Sequence, residues 1–329
     1  MRVIFPFVER YMKPSIVILD DWEHGLARLV DWSGIQSRST LTIHHERLPD
    51  DQLPAALAQA QCIVLMRDRT PFPQALIAQL PNLKRIVFTG TRNNTLDQQA
   101  AEQAGIVVTP TEFGPSKAST CELAWSLILA SLKKLPELLV SRQQPLWRPP
   151  AVRDHLPEVL EAKRLGLIGL GHIGQRMATV AQAFGMQVQT WSPHMTPERA
   201  SQHNATSVSL ETLLSTSDIV SLHLVVSDAT RKLLNSETLA LMQPGSLLVN
   251  TSRSTLIDTA ALIQALQNGR PGFAALDVFD NEPGISPALM AVPNILLTPH
   301  MGFVSEQVYR KFAIDVQQQL NQWLDEIAS

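Results

Sequence analysis

The sequence predicts an α/β fold built on two doubly wound parallel sheets, and three observations carry that prediction. From Ser15 to Thr109 short apolar runs alternate with amphipathic stretches, the rhythm of a parallel sheet with covering helices. A second alternating block begins at Arg164. At its head the apolar run Leu165–Ile168 leads through Gly169, Gly171 and Gly174 into a helical pattern carrying Met177, Ala178, Ala181 and Phe184. That is GxGxxG in strand–turn–helix context, followed by a further strand at Met186–Trp191, and it points to a Rossmann dinucleotide site. Gly169 permits the tight turn, Gly171 lets backbone approach a pyrophosphate, and Gly174 allows close helix–strand packing. The unpaired amides of His172 and Ile173 at the helix start favour an anion.

Bulk numbers narrow the classes. At 329 residues the chain has room for two cores. A hydrophobic fraction of 45% with 17% charged residues is ordinary for a globular protein. Net charge is −3 without a basic block, which argues against a nucleic-acid surface. Apolar runs such as Leu127–Ala130 are far too short to span a membrane, and no signal-peptide pattern opens the chain. Cys62 and Cys121 sit inside apolar runs and read as reduced core residues of a cytoplasmic protein.

Residues 1 to 11 do not join the pattern, and Met12, just before the first strand, reads as the natural start. Strands are expected at Ser15–Leu19, Leu41–His45, Cys62–Met66, Leu83–Thr89 and Ile106–Thr109. Helices are expected at Leu26–Trp32, Leu53–Ala60, Pro73–Leu80 and Asp97–Ala104. Phe113–Lys117 has the Gly-Pro punctuation of a hinge, and a long apolar-faced helix follows. Pro145–Pro150 reads as a loop in which Trp147 serves packing. The second block adds strands at Ile219–Leu224, Ser246–Asn250, Phe273–Val278 and Ile295–Thr298. Its helices fit Leu210–Ser215, Asn235–Met242 and Thr259–Gln267, and a last helix follows Gly302.

A doubly wound sheet binds ligand beyond the carboxyl ends of its strands. In the second block three stretches stand there: Val249–Arg253, Leu276–Pro283 and Leu297–Gly302. With the glycine loop they resemble the D-isomer-specific 2-hydroxyacid dehydrogenase family. Thr89–Asp97 (TGTRNNTLD) is similar to the family's AGxGxDNxD, and Leu222–Thr230 (LHLVVSDAT) to its LHxPLTxxT. The resemblance implies a Rossmann domain, 115–301, inserted in a flavodoxin-like substrate domain, 1–114 completed by 302–329. It implies closure about Phe113–Lys117 and Met301–Val304, and a homodimer through the long helix and the Trp147 loop. The implied reaction moves a hydride between NAD(P)H and a small 2-oxo acid or D-2-hydroxy acid. His300 matches the acid/base, Glu282 the carboxylate that orients its ring and raises its pKa, and Arg253 the group that binds the substrate carboxylate. These types suit the work: imidazole titrates near neutral pH, and a guanidinium grips a carboxylate bidentately. Asp277 matches the residue facing the nicotinamide carboxamide. Leu224, Thr230, Thr251, Ser252 and Gly302 are expected around the cofactor, and Arg67, Asp68, Gly90 and Thr91 around the substrate.

The chain departs from the family pattern in several places. The acid that bonds the adenine ribose in NAD-specific members is replaced by Ser192, with His194 and Arg199 nearby; this leans the cofactor to NADP(H). Ser254 stands where a glycine is usual, which is expected to crowd the site or strain a backbone needing positive φ. Val225 replaces a proline. Met66–Thr70 resembles the VRSxT loop of phosphoglycerate dehydrogenases, in which Arg67 or Arg69 would meet a second anion and Asp68 oppose it. His44, His45, His155, His194 and His203 read as surface or packing residues, and no pair has metal-ligand spacing. The rival reading is a catalytically weak, dinucleotide-sensing binding protein like the family's co-repressor members. A formate dehydrogenase usually has glutamine where this chain has Glu282.

Overall fold

Strands with both faces covered need apolar residues at every position, which is why a central segment such as Cys62–Leu65 reads as a continuous run rather than an alternation. The computed structural model describes residues 13–141 and 156–329; the Met12 start, Trp147 and His155 lie outside them. The chain splits into two compact units, with breaks at Pro115/Ser116 and Val304/Ser305.

Among its described residues, the first unit holds β1 (Ser15–Ile18), β2 (Thr40–Ile43), β3 (Cys62–Leu65), β4 (Arg85–Phe88) and β5 (Val107–Pro110). They form one parallel sheet in the order β2-β1-β3-β4-β5, a doubly wound order with its switch point at β1/β3. Val17, Leu57, Ile63, Phe72, Ile86 and Ile106 belong to its core. The helix Glu306–Glu326 belongs to the same unit. Its apolar stripe buries Val308, Phe312, Val316 and Leu320 completely, and each such side chain is worth about 1.5–3 kcal/mol out of water.

The second unit carries β6 (Arg164–Ile168), β7 (Gln187–Trp191), β8 (Thr206–Ser207), β9 (Ile219–Leu222), β10 (Leu247–Asn250), β11 (Phe273–Leu276) and β12 (Ile295–Leu297). Its parallel order is β12-β11-β10-β9-β6-β7-β8. Two separate cores flank it, one with helices Ser116–Leu132 and His172–Ala183, the other with Leu210–Thr216 and Thr259–Gln267.

Most segment types follow the sequence pattern, while several boundaries move. The helix expected at Leu26–Trp32 is Gly25–Leu29; the Trp32 indole donates to the Leu26 carbonyl at 2.8 Å and a new helix, Ser33–Arg38, begins. Leu53–Ala60 shortens to Leu53–Leu57 and Pro73–Leu80 to Gln74–Ile77. Phe113–Lys117 is partly helix, since Gly114 turns at φ 54° and Ser116 starts the long helix. Short elements at Leu135–Ser141, Pro197–Ser201, Pro287–Met290 and β8 are too brief to show a period. Cys62 and Cys121 are free and buried, and burial pushes their thiols up to about 12 and about 11. No helix among the described residues is long and apolar enough to cross a membrane.

Candidate active site

In the second unit the strand order reverses between β6 and β9, so their carboxyl ends flank a crevice. The glycine turn leaves β6 there. Gly169 has φ 103°, and a Cβ on it would lie 2.7 Å from the His223 carbonyl oxygen. A Cβ on Gly174 would lie 2.2 Å from the Gly169 carbonyl oxygen. Both glycines are therefore packing necessities. Gly171 differs, since a Cβ there meets nothing within 4 Å. It is the N-cap of His172–Ala183, with no side-chain cap on the helix amides. Open backbone beside a helix N-terminus of 12 residues suits a pyrophosphate, so these residues fit a dinucleotide. At the end of β7, Ser192 is followed by His194, whose carbonyl accepts a 2.8 Å hydrogen bond from the exposed Arg199 guanidinium.

Beneath the glycine turn lies His223, after β9. Its Nε2 bonds the Ser221 hydroxyl at 2.9 Å, and its Nδ1 is sealed from water without a partner. Burial lowers its pKa from 6.5 to about 4. The unfolded chain takes up this proton below about pH 6.5, the folded one only near 4. Stability is therefore expected to fall on acidification through that window, by up to about 3 kcal/mol. Urea midpoints at pH 7 and 4.5 should show a smaller acid loss in His223→Asn; an unchanged loss would refute the assignment.

After β10, Asn250 arranges the next loop: its Nδ2 donates to the Arg253 carbonyl (2.9 Å) and its Oδ1 accepts the Ser252 amide (3.0 Å). The Ser252 hydroxyl donates to the Leu224 carbonyl at 2.6 Å, tying this loop to the one after β9. Within that loop the Thr230 hydroxyl accepts the Ser227 amide at 2.8 Å, and Val225 is exposed. The Thr251 hydroxyl is sealed from water without a partner. Arg253 is extended, with Nη1 on the Ser252 carbonyl at 2.7 Å. Ser254 opens a one-turn 3-10 helix, Ser254–Leu256, and is not among the residues with positive φ. The expected backbone strain at Ser254 is therefore absent, because the chain turns there through a conformation any residue adopts.

The loops after β11 and β12 supply the titratable groups. His300 has φ 55°, and its Nδ1 lies 2.5 Å from Glu282 Oε2; Glu282 Oε1 accepts the Phe279 amide at 2.9 Å. Burial pushes the Glu282 carboxyl up, but the His300 hydrogen bond and charge, the Phe279 amide and the Arg253 charge outweigh it. It titrates below the ordinary glutamate value. The carboxylate is thus ionised at neutral pH and accepts a hydrogen bond from His300 Nδ1–H. Asp277, wholly buried, accepts the Thr298 hydroxyl (2.6 Å), the Met301 amide (2.7 Å) and the Gly302 amide (2.8 Å). Burial raises its pKa despite those bonds. Asn250, His223 and Thr298 lie inside the stretches singled out in the sequence, His223 at the histidine of LHxPLTxxT, but no functional role was read for any of the three.

In the first unit Arg67 has φ 54°, and its amide donates to the Thr89 hydroxyl at 2.9 Å. Its Nη1 donates to the Thr89 and Arg92 carbonyls at 3.0 and 3.1 Å, and its guanidinium lies 4.3 Å from the Phe113 ring centre. Gly90, φ 91°, makes room for it: a Cβ there would be 2.1 Å from Arg67 Nη1. Thr91 is exposed. Asp68 bonds Asn94. Among the described residues no group of three or more His, Cys, Asp or Glu is arranged to hold a metal.

Residues 125–302 match the model of the D-isomer specific 2-hydroxyacid dehydrogenase NAD binding domain. A hydroxypyruvate reductase from Thermotoga maritima is 33% identical over 86% of this chain and 90% of its own length. A D-3-phosphoglycerate dehydrogenase from Synechocystis is 34% identical over 78% of this chain. The chain spans about half the length of the D-3-phosphoglycerate dehydrogenases it matches. The crystal structure of a phosphoglycerate oxidoreductase from Vibrio cholerae superposes with a TM-score of 0.86 at 32% identity, covering 96% of this chain and 99% of that one.

Proposed function

We propose that this chain, which belongs to the D-isomer specific 2-hydroxyacid dehydrogenase family, reduces a small 2-oxo acid to the D-2-hydroxy acid with a nicotinamide cofactor. The observation that carries the reading is the hydrogen-bonded pair of His300 and an ionised Glu282 within reach of the Arg253 charge. Gly169, Gly171, His172, Ile173 and Gly174 would hold the pyrophosphate, and Ser192 the adenine ribose. Leu224, Thr230, Thr251, Ser252, Asp277 and Gly302 would lie toward the nicotinamide, which when bound supplies the hydride for the carbonyl carbon. Arg253 binds the substrate carboxylate and polarises the carbonyl. His300 delivers the Nε2 proton to the oxygen that becomes the hydroxyl, and Glu282 steadies the imidazole through Nδ1. Arg67, Asp68, Gly90 and Thr91 are assigned to the substrate.

The cofactor assignment leans to NADPH. Ser192 has no charge to repel a 2′-phosphate, and Arg199 is held at the adjacent His194 carbonyl. Purified protein is expected to oxidise NADPH faster than NADH with glyoxylate, hydroxypyruvate or phenylpyruvate. Ser192→Asp is expected to reverse that preference by about tenfold, the worth of ~1.4 kcal/mol. Equal rates with both cofactors would refute the preference. Tight cofactor binding with no turnover of any 2-oxo acid would instead support a sensing protein.

The proposal extends to a homodimer in the cytoplasm. Leu139, Val140, Leu156 and Val159 are each more than 60% exposed, an apolar surface that a second copy would cover. A one-chain molar mass in solution would count against the dimer.

A further inference from the structure

The turn that follows His300 folds a second ring back onto the imidazole. Asp277 fixes this turn by accepting the Met301 and Gly302 amides at 2.7 and 2.8 Å, and the Val304 amide closes it on the Met301 carbonyl at 2.9 Å. Phe303, third in the turn and half-buried, stands against His300 with ring centres 5.7 Å apart and planes 79° apart. That is an edge-to-face contact at ordinary aromatic distance. His300, Phe303, Asp277 and Glu282 all belong to the second unit, so the arrangement is internal to one compact body.

The hydrogen bond to Glu282 does not aim the imidazole by itself. It fixes Nδ1 at 2.5 Å from the carboxylate, yet the ring can still turn about the line joining the two atoms, and turning redirects the Nε2–H. Nor is the side chain locked by burial, since 34% of it is exposed. A ring set nearly perpendicular to the imidazole opposes that rotation, because the contact is given up as the imidazole turns. Resting on the reading of the chain as a 2-oxo acid reductase, we infer that Phe303 is a positioning residue for His300. Glu282 anchors Nδ1, and Phe303 sets the plane of the ring and so the line along which the Nε2 proton leaves. Alignment of this kind matters because a small misplacement of a reacting group lowers the rate steeply.

Phe303→Leu keeps an apolar side chain and removes the ring, whereas Phe303→Tyr keeps the ring. With glyoxylate and reduced cofactor, Phe303→Leu is expected to lower kcat by about tenfold, with KM and cofactor affinity within about twofold of wild type. Phe303→Tyr is expected to retain most of kcat. In a His300→Asn background the same Phe303→Leu change is expected to cost less than about twofold, because a residue that acts through the imidazole then has nothing to aim. An equal loss in both backgrounds, or a tyrosine variant as slow as the leucine one, overturns the inference. Ring motion gives a readout that needs no turnover. In protein carrying ¹³C-labelled histidine, the His300 signal is the one missing from His300→Asn. The order parameter of its Cε1–H bond is expected at about 0.85 in wild type and Phe303→Tyr, and below about 0.6 in Phe303→Leu. If no 2-oxo acid is reduced, the reductase reading falls and this measurement decides whether Phe303 holds the ring. An imidazole equally rigid in all three proteins overturns it.

Discussion

Replacing His300 with asparagine is expected to lower kcat by about 10²- to 10⁴-fold, the usual contribution of a positioned acid/base, while cofactor affinity changes little. Asparagine is the informative substitution because the backbone at 300 lies at φ 55°, a conformation that Asn tolerates better than most residues. The turn therefore survives and only the proton donor goes. Glu282→Gln should cost less and show its effect in the pH profile. The Glu282 pKa is lowered in the folded protein, so its pairing with His300 is present above the ordinary glutamate value and is lost only as pH falls through the depressed one. In the variant the acid side of kcat loses that dependence. Rapid-mixing rates and fluorescence titration of the reduced cofactor read both effects. Near-wild-type kcat in His300→Asn would remove the imidazole from the reaction.

Asp277→Ala is expected to be the most disruptive single change in the second unit, costing about 3–5 kcal/mol of stability together with most activity. The carboxylate accepts two backbone amides and a hydroxyl from Thr298–Gly302, and hydrogen bonds to a charged group are worth about 1.5–3 kcal/mol each. Alanine leaves the Gly302 amide buried and unanswered, and releases the turn that aims His300 at Glu282. Asp277→Asn preserves one acceptor and should lie between. Denaturant titration and kcat measured on the same samples decide it. A stability loss below about 1 kcal/mol would show that the turn holds without the carboxylate.

How far these features were legible in the sequence depends on how local their causes are. Continuous apolar runs marked both sheets because their central strands, such as β3 and β9, are covered on both faces. The GxGxxG turn was legible as far as the tight turn at Gly169 and the close packing at Gly174, since those contacts lie within one strand–turn–helix unit and the adjacent strand. Helix ends were less legible: Trp32 stops one helix and begins another through a side-chain bond that no period reveals. The His300–Glu282 pair spans 18 residues and exists because β11 and β12 are neighbours; only family resemblance pointed to it. Least legible was charge cancellation. Arg69 and Asp68 sit side by side in sequence, yet the partner that neutralises Arg69 is Glu23 in the loop after β1, 46 residues earlier. The strain expected at Ser254 failed for a related reason, because the local turn type was set by Asn250 and not by residue 254 itself.

The chain leaves the first unit at Pro115 and rejoins it only at Ser305, and this fixes an order in time. A ribosome delivers the whole second unit before it delivers Val308, Phe312, Val316 and Leu320, the side chains that the first unit buries. The earlier half of the protein must therefore wait for the later half to finish emerging. During that interval the surface meant for the helix Glu306–Glu326 is open to water, and it is there that a nascent chain most needs protection from aggregation.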